Sequence, residues 1–246
     1  MKTSGNTILI TGGSAGIGFE TAKLFLDKGN KVIITGRNKN RLQEAAAKLP
    51  GVVTVVSDVN DAADTDALVN KLQKEFPSLN LVINNAGYAE FYKLDANPNA
   101  FEKASNEILT NYLAIVRLTE KLLPLLSKQT EAAVVNVSSI VAIAPNHGLP
   151  TYAASKAALH SYSQSLRITL SRNSHIKVFE LMPPLVNTDF SKEIGGANGI
   201  PPQAVAQDLL EAIESNNYEI HTGNTAQIYD LYLSSPQQAL AAMNAN

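Results

Sequence analysis

Tyr152 and Lys156 are the residues of this chain whose types and spacing best suit chemistry. Four positions apart on a helix, they share one face. A free phenol titrates near pH ~10 and is a poor acid or base at neutrality. An ammonium beside it lowers that value and makes the phenol usable in general acid–base work. Helices also place such pairs on their surfaces by chance, so the reading depends on what the rest of the chain supplies.

The amino-terminal region supplies a nucleotide site. Residues 6–11 form a β-branched run that reads as a buried parallel strand. It leads straight into Gly12-Gly13-Ser14-Ala15-Gly16-Ile17-Gly18, and residues 19–28 continue with helical periodicity. Strand, glycine turn and helix in that order let the backbone approach a pyrophosphate and aim free N–H groups at it. The spacing is Gly-x-x-x-Gly-x-Gly, without the Lys-Ser/Thr ending of a phosphate-loop nucleotidase. A plain glycine-rich turn is the alternative. The second strand, residues 31–35, ends in Gly36-Arg37-Asn38. An acidic residue there would bind the ribose 2′-hydroxyl of NAD. Arginine instead suits a 2′-phosphate through its planar fork. The expectation is therefore NADP(H) in preference to NAD(H), the alternative for Arg37 being a solvated loop cation.

With these residues in place the chain resembles the short-chain dehydrogenase/reductase family, in its compact single-domain branch. The resemblance is carried by Thr11 to Gly18, Asp58-Val59, Asn84-Asn85-Ala86-Gly87, Asn111, Asn136-Val137-Ser138-Ser139, Tyr152 to Lys156 and Met182 to Thr188, in the family's order and spacing. It implies a catalytic set of Asn111, Ser139, Tyr152 and Lys156. Tyr152 would be the acid that protonates a carbonyl oxygen during reduction, or the base in reverse. Lys156 would lower its pKa and bind the nicotinamide ribose. Ser139 would donate to the substrate oxygen, and Asn111 would hold a water relaying protons toward Lys156. Ser138 competes for the serine role, but strand alternation puts only one of two neighbours on the active face, and the family's spacing to Tyr152 favours Ser139. Asn111 also has a plainer reading, a packing asparagine that distorts its helix.

The implied cofactor set is Gly12, Ser14, Gly16, Ile17, Gly18, Arg37, Asn38, Asp58, Val59, Asn85, Ala86, Gly87, Pro183, Val186 and Thr188, together with Tyr152 and Lys156. One departure stands out: the family usually has Pro-Gly where this chain has Pro183-Pro184, which implies a locally different backbone route past the nicotinamide. That pattern and the short tail are similar to a bacterial branch labelled DltE-like, whose substrates are poorly defined.

Strand-like runs at 7–11, 31–35, 52–57, 79–84, 132–138, 176–181 and 218–221 alternate with helical ones, including 101–127 and 152–172. The expected fold is α/β: a Rossmann-type, doubly wound, seven-stranded parallel sheet with helices on both faces. Ligands then bind beyond the carboxyl ends of the strands, where every motif above falls. One NADP(H)-binding domain covers 1–246, with a substrate loop at about 188–203 and a tail, 237–246, that is a short helix or a frayed end.

The chain is 45% hydrophobic and 17% charged, with a net charge of −2, which gives no basic field for nucleic acid or membrane. No apolar run has transmembrane length and no secretory segment precedes the first strand, so a cytoplasmic enzyme is the simplest reading. Zero cysteine excludes disulfides and thiolate catalysis. His147, His160, His175 and His221 have no partner at metal-ligand spacing, so no metal is assigned. His160 reads as a packed or surface residue, His147 as a solvated residue of the loop at the substrate mouth.

Tyr88, Phe91, Tyr92 and Phe190 offer apolar walls for an uncharged or weakly polar ketone or aldehyde. Gly195, Gly196 and Gly199 suit a mobile lid. The reading is an NADP(H)-dependent carbonyl reductase or alcohol dehydrogenase. A non-catalytic NADP(H) sensor and a nucleotide-sugar epimerase are the alternatives. The first need not keep all four catalytic residues, and the second is disfavoured by the glycine spacing. In the family, helices corresponding to 101–127 and 152–172 pair between subunits, which implies a homodimer or homotetramer.

Overall fold

Strand β1 (Thr7–Thr11) is buried at every position, as is β5 (Ala132–Val137). Continuous burial is what a parallel strand covered on both faces requires. The computed structural model of the chain, which describes residues 1–95 and 99–245, joins these to β2 (Lys31–Gly36), β3 (Val53–Val56), β4 (Leu79–Asn84), β6 (Ile176–Met182) and β7 (Glu219–His221). The order is β3-β2-β1-β4-β5-β6-β7, and every pairing is parallel. Edge strand β3 alternates half-buried and exposed residues, consistent with its open side. All seven strands fall within one or two residues of the runs read from the sequence.

Alternation along β1 divides the core. Ile8 and Ile10 pack with Phe25 of α1 (Gly16–Asp27), Leu42 of α2 (Lys39–Lys48) and Leu209 of α7 (Pro202–Ser215). Leu9 points the other way, to Leu72 of α3 (Ala62–Glu75), Leu122 of α5 (Ala114–Leu126) and Leu166 of α6 (Pro150–Asn173). Successive side chains of a strand face opposite sides, so one short run anchors both helical layers.

Two stretches differ from the sequence reading. The helix expected over 101–127 is α4 (Ala100–Ile108), a π turn at Leu109–Leu113, then α5. Of the two readings of the tail the short helix holds, as α9 (Pro236–Met243), while α8 (Thr225–Ser234) ahead of it was not foreseen; residue 246 lies outside the described residues. Among the described residues no helix is long and apolar enough to cross a membrane.

Under the carboxyl ends of β4 and β5 runs a buried polar ladder. Asn84 Nδ2 donates to Asn136 Oδ1 (2.8 Å), and Asn136 Nδ2 donates to Ser163 Oγ (2.9 Å) on α6. The ladder ties two central strands to the helix that bears Tyr152 and Lys156. Asn136→Leu removes the bonds to Asn84 and Ser163 in a buried layer, where each keeps one other partner, Thr119 and the Leu159 carbonyl. We expect it to lower unfolding free energy by about 2–4 kcal/mol in urea titration; a change within ~0.5 kcal/mol would show the ladder to be dispensable.

Candidate functional site

The cleft opens where the strand order reverses, between β1 and β4. Thr11 Oγ1 accepts the N–H groups of Asn85 (3.1 Å) and Ala86 (3.0 Å). Asn85 Nδ2 returns bonds to the carbonyls of Thr11 (2.9 Å) and Gly12 (3.1 Å). The clamp brings backbone so close that a Cβ on Gly12, whose φ is +66°, would lie 2.9 Å from Ala86 Cα. A Cβ on Gly18 would meet Asn85 Nδ2 at 2.5 Å. Glycine is therefore needed at both positions.

Helix α1 starts at Gly16 with Ala15 as its N-cap; no side chain caps its free N–H groups and no acidic residue lies in its first turn. Gly12, Ser14, Gly16 and Ile17 line the cleft at this point. An uncapped helix start beside a glycine-rich turn fits the pyrophosphate of a dinucleotide. At the end of β2, Arg37, Asn38 and Arg41 face the same cleft, with Asp58 and Val59 across from them. Arg37 Nη1 is 3.9 Å from Asp58 Oδ2, and its side chain is 66% exposed. That contact is loose and solvent-screened, so the guanidinium stays available to an anion. Asn38 caps α2, its side chain accepting the Arg41 N–H (3.1 Å).

The reactive end lies over β5. Lys156 is only 3% exposed. Its ammonium donates to the Val137 carbonyl (2.8 Å) and stands 5.6 Å from the centroid of the Tyr152 ring. Burial lowers the Lys156 pKa to about 8, opposed by the charge of Glu180 on β6. Burial likewise pushes the Tyr152 phenol above its usual range; the Ser139 hydroxyl pulls it back, and Glu107 adds to the rise. The sequence reading had the lysine depressing the phenol. In the folded chain burial raises the phenol, and the neighbours that act on it are Ser139 and Glu107. Tyr152 therefore keeps its proton at neutral pH.

Of the adjacent serines, Ser139 is the one beside Tyr152, and it caps the turn Ile140–Ala142. The Ser138 hydroxyl is bound to Glu180 Oε1 (2.5 Å). Asn111 sits in the π turn, a departure from helix geometry common at functional sites. Its Oδ1 accepts the Tyr88 N–H (2.8 Å), and its Nδ2 donates to the Tyr88 carbonyl and Ser155 Oγ (2.8 Å each). A Cβ built on Gly87 would be 3.5 Å from Asn111 Oδ1 and 3.8 Å from Lys156 Nζ. Carboxamide and ammonium thus both border Gly87.

At the substrate end Phe91 and Phe190 line the mouth, each about half exposed, and the Phe190 ring centroid is 6.2 Å from that of Tyr152. Tyr88 also faces the cleft, its hydroxyl donating to Glu90 (2.6 Å). Tyr92 does not serve as a wall: it is buried, its hydroxyl paired with Thr151 (2.8 Å) and its ring beneath Lys103. Thr188 caps the turn Asp189–Ile194, and its methyl faces Gly16. Pro183 and Pro184 border the cleft, and the Pro183 carbonyl accepts the Ile140 N–H (3.0 Å). The whole cleft measures about 1200 Å³, more than one small ligand fills.

Sequence reasoning missed two contributors. Arg41 lies in the first turn of α2, and Arg37 just ahead of the Asn38 cap. Met243 reaches the cleft from α9. The Asn244 side chain accepts the His147 N–H (2.7 Å) and donates to the Pro145 carbonyl (2.9 Å), while Asn146 Nδ2 donates to the Met243 carbonyl (2.7 Å). His147 is thus latched to the tail, through contacts about a hundred residues apart in sequence that no local pattern signals.

Fold and cleft together define a doubly wound α/β protein with a dinucleotide site at its strand ends and a tyrosine–lysine pair beside it. The short chain dehydrogenase family matches residues 6–199, and the chain belongs to that family of oxidoreductases. The uncharacterized oxidoreductase DltE of Bacillus subtilis (strain 168) is 36% identical over 249 residues, covering 99% of this chain and 98% of that protein. A short chain dehydrogenase from Burkholderia cenocepacia J2315, solved in complex with NADP, superposes with a TM-score of 0.86 at 25% identity, covering 98% of both chains. A short chain dehydrogenase/reductase from Burkholderia phymatum, solved with NAD, also gives 0.86, at 20% identity over 97% of this chain and 96% of that one. The last likeness speaks for the fold alone.

The latch makes a testable claim about the tail. Asn244→Ala removes the acceptor of the His147 amide, and we expect that amide to exchange with solvent about tenfold faster. Unchanged exchange would mean that the loop is held without the tail.

Proposed function

We propose that this protein is an NADP(H)-dependent carbonyl reductase or alcohol dehydrogenase. One observation carries the reading: a buried, protonated phenol, Tyr152, stands with Ser139 and Lys156 at one end of a dinucleotide cleft. A bound nicotinamide would exchange a hydride with the carbonyl carbon. Tyr152 donates its proton to the carbonyl oxygen as negative charge develops there, and Ser139 offers that oxygen a second hydrogen bond. Lys156, fixed by the Val137 carbonyl, keeps further donors for a ribose hydroxyl and its positive charge beside the phenol. Asn111, bordering Gly87 opposite the ammonium, positions the water through which the proton is replenished.

Arg37 and Arg41 support the preference for NADP(H), since two cations at the end of β2 suit a 2′-phosphate and no carboxylate stands at Gly36 to take a 2′-hydroxyl. The apolar mouth of Phe91, Ile140, Leu149, Phe190 and Met243 favours an uncharged or weakly polar ketone or aldehyde.

The experiment is NADPH oxidation over a panel of aryl ketones, aldehydes, diketones and keto esters, with Tyr152→Phe in parallel. Loss of ~10²–10⁴ in kcat with NADPH binding retained is expected; a Tyr152→Phe enzyme that still turns over would remove the phenol from the mechanism. For the cofactor, Arg37→Ala should cut kcat/KM for NADPH by ~10–100-fold and leave NADH nearly unchanged. A wild-type preference for NADH would overturn the NADP(H) assignment.

A further inference from the structure

The proposed reaction leaves one buried charge unused. Glu180 lies on β6 with a side chain wholly out of solvent. A carboxylate in that position costs several kcal/mol unless partners compensate it. Ser138 Oγ donates to its Oε1 (2.5 Å), and His160 Nδ1 is 3.0 and 2.9 Å from its two oxygens. His160 and Lys156 are one turn apart on the same face of α6. Lys156 is bound to the Val137 carbonyl, next in the chain to Ser138, and the β5–β6 register sets Asn136 opposite Glu180 and Val137 opposite Leu181. The carboxylate thus contacts His160 directly, and the Lys156 ammonium one turn away is bound to the residue next to its Ser138 partner.

The other charges nearby are accounted for. Arg167 on α6 pairs with Glu219 on β7 at 2.8 Å. His221 on β7 packs against the Tyr229 ring at 4.5 Å, and burial holds its pKa down, favouring the neutral form, against the pull of Glu219, Glu180 and Asp230. Glu107 on α4 faces Tyr152, and burial raises its carboxyl toward the protonated form. Among the described residues the basic side chain in direct contact with Glu180 is His160, and Lys156 stands one turn before it on α6.

We propose that Glu180 is a positioning residue that acts through Lys156: a single buried carboxylate shared between the Lys156 ammonium and the His160 imidazole, so that the charge of one governs the other. With His160 protonated, the carboxylate is neutralised and burial alone acts on the ammonium. With His160 neutral, Glu180 supports the ammonium in full. The Glu180 charge raises both basic groups, the imidazole chiefly through their hydrogen bond, so the two compete for it. The inference rests on reading Lys156 as the active-site ammonium.

Lysine labelled with ¹³C at Cε lets Lys156 be titrated by NMR in the full chain with NADP⁺ bound, its signal assigned by its absence in Lys156→Gln. Glu180→Gln, which keeps the shape of the side chain, should lower the Lys156 midpoint by about one unit or more. His160→Gln removes the competing cation and should raise it. The alkaline limb of kcat should follow in both variants. Opposite signs are the signature, because a packing defect would move both midpoints one way or neither. Absence of either shift, or a fall in both, overturns the proposal; if Glu180→Gln does not fold, the direction in His160→Gln decides. The resonance is read without turnover, so a wild-type protein that reduces nothing on the panel counts against the catalytic reading alone.

Discussion

The reciprocal bonds between Thr11 and the Asn85–Ala86 backbone are the constraint on which the rest of the site depends. Strands β1 and β4 part at this point because the chain's order reverses across the sheet. Without a cross-link at their ends the cleft would have no fixed floor. The clamp sets the approach of Gly12 and Gly18, and so the direction in which α1 presents its uncapped start. It also fixes the chain leaving β4, since Gly87 and Tyr88 follow directly. Asn111 grips Tyr88 on one side and Ser155 on the other, and Ser155 Oγ donates to the Tyr152 carbonyl (2.7 Å). A path of hydrogen bonds therefore runs from the nucleotide turn to the helix that carries the phenol. Each bond is worth only ~1 kcal/mol net. Their weight lies in registry, because a buried donor cannot slip without losing its partner.

Burial then decides the charge states. The same exclusion of water drives the phenol up and the ammonium down. For Lys156 the fall from 10.5 to about 8 amounts to roughly 3 kcal/mol in favour of the neutral amine. A protonated phenol suits the acid role; at about 8 the lysine still carries its charge at neutral pH, with a smaller margin than a free one. That margin is kept by negative charge close to Lys156 yet away from the phenol, whose proton a nearby carboxylate would hold more tightly. Glu180, on β6 opposite Asn136, is the carboxylate whose charge opposes the fall in the Lys156 pKa.

How legible the molecule was in its sequence follows from how local each signal is. The strands were readable because parallel burial demands β-branched runs, and the glycine turn because backbone approach demands glycine. Tyr152 and Lys156 shared a helical face as their spacing required. The π turn at Asn111 was not readable as such: its residues keep helical composition, and the partner that holds the side chain, the Tyr88 backbone, is 23 residues away. Glu180 and His160 gave no motif, being 20 residues apart on different elements, and His160 alone looked like a packed or surface residue. The spacing of Tyr152 and Lys156 did not report how deeply the fold buries the phenol, a burial that raises its pKa.

The two ends of the cleft are accordingly built by different rules. The nucleotide turn is governed by the backbone: glycines without room for a methyl group, a helix start, and two side chains, Thr11 and Asn85, bonded to main-chain groups. Side chains there can change little without moving the chain itself. The substrate end is made of side chains from remote elements, the Phe91 segment, the turn after Thr188 and α9, joined by bonds such as those of Asn244. Apolar contact is non-directional, so that wall can be recut by exchanging Phe91, Phe190 or Met243 while the clamp at Thr11 stays as it is. This division explains why a sequence can declare its cofactor class through short motifs and leave its substrate to residues that no motif contains.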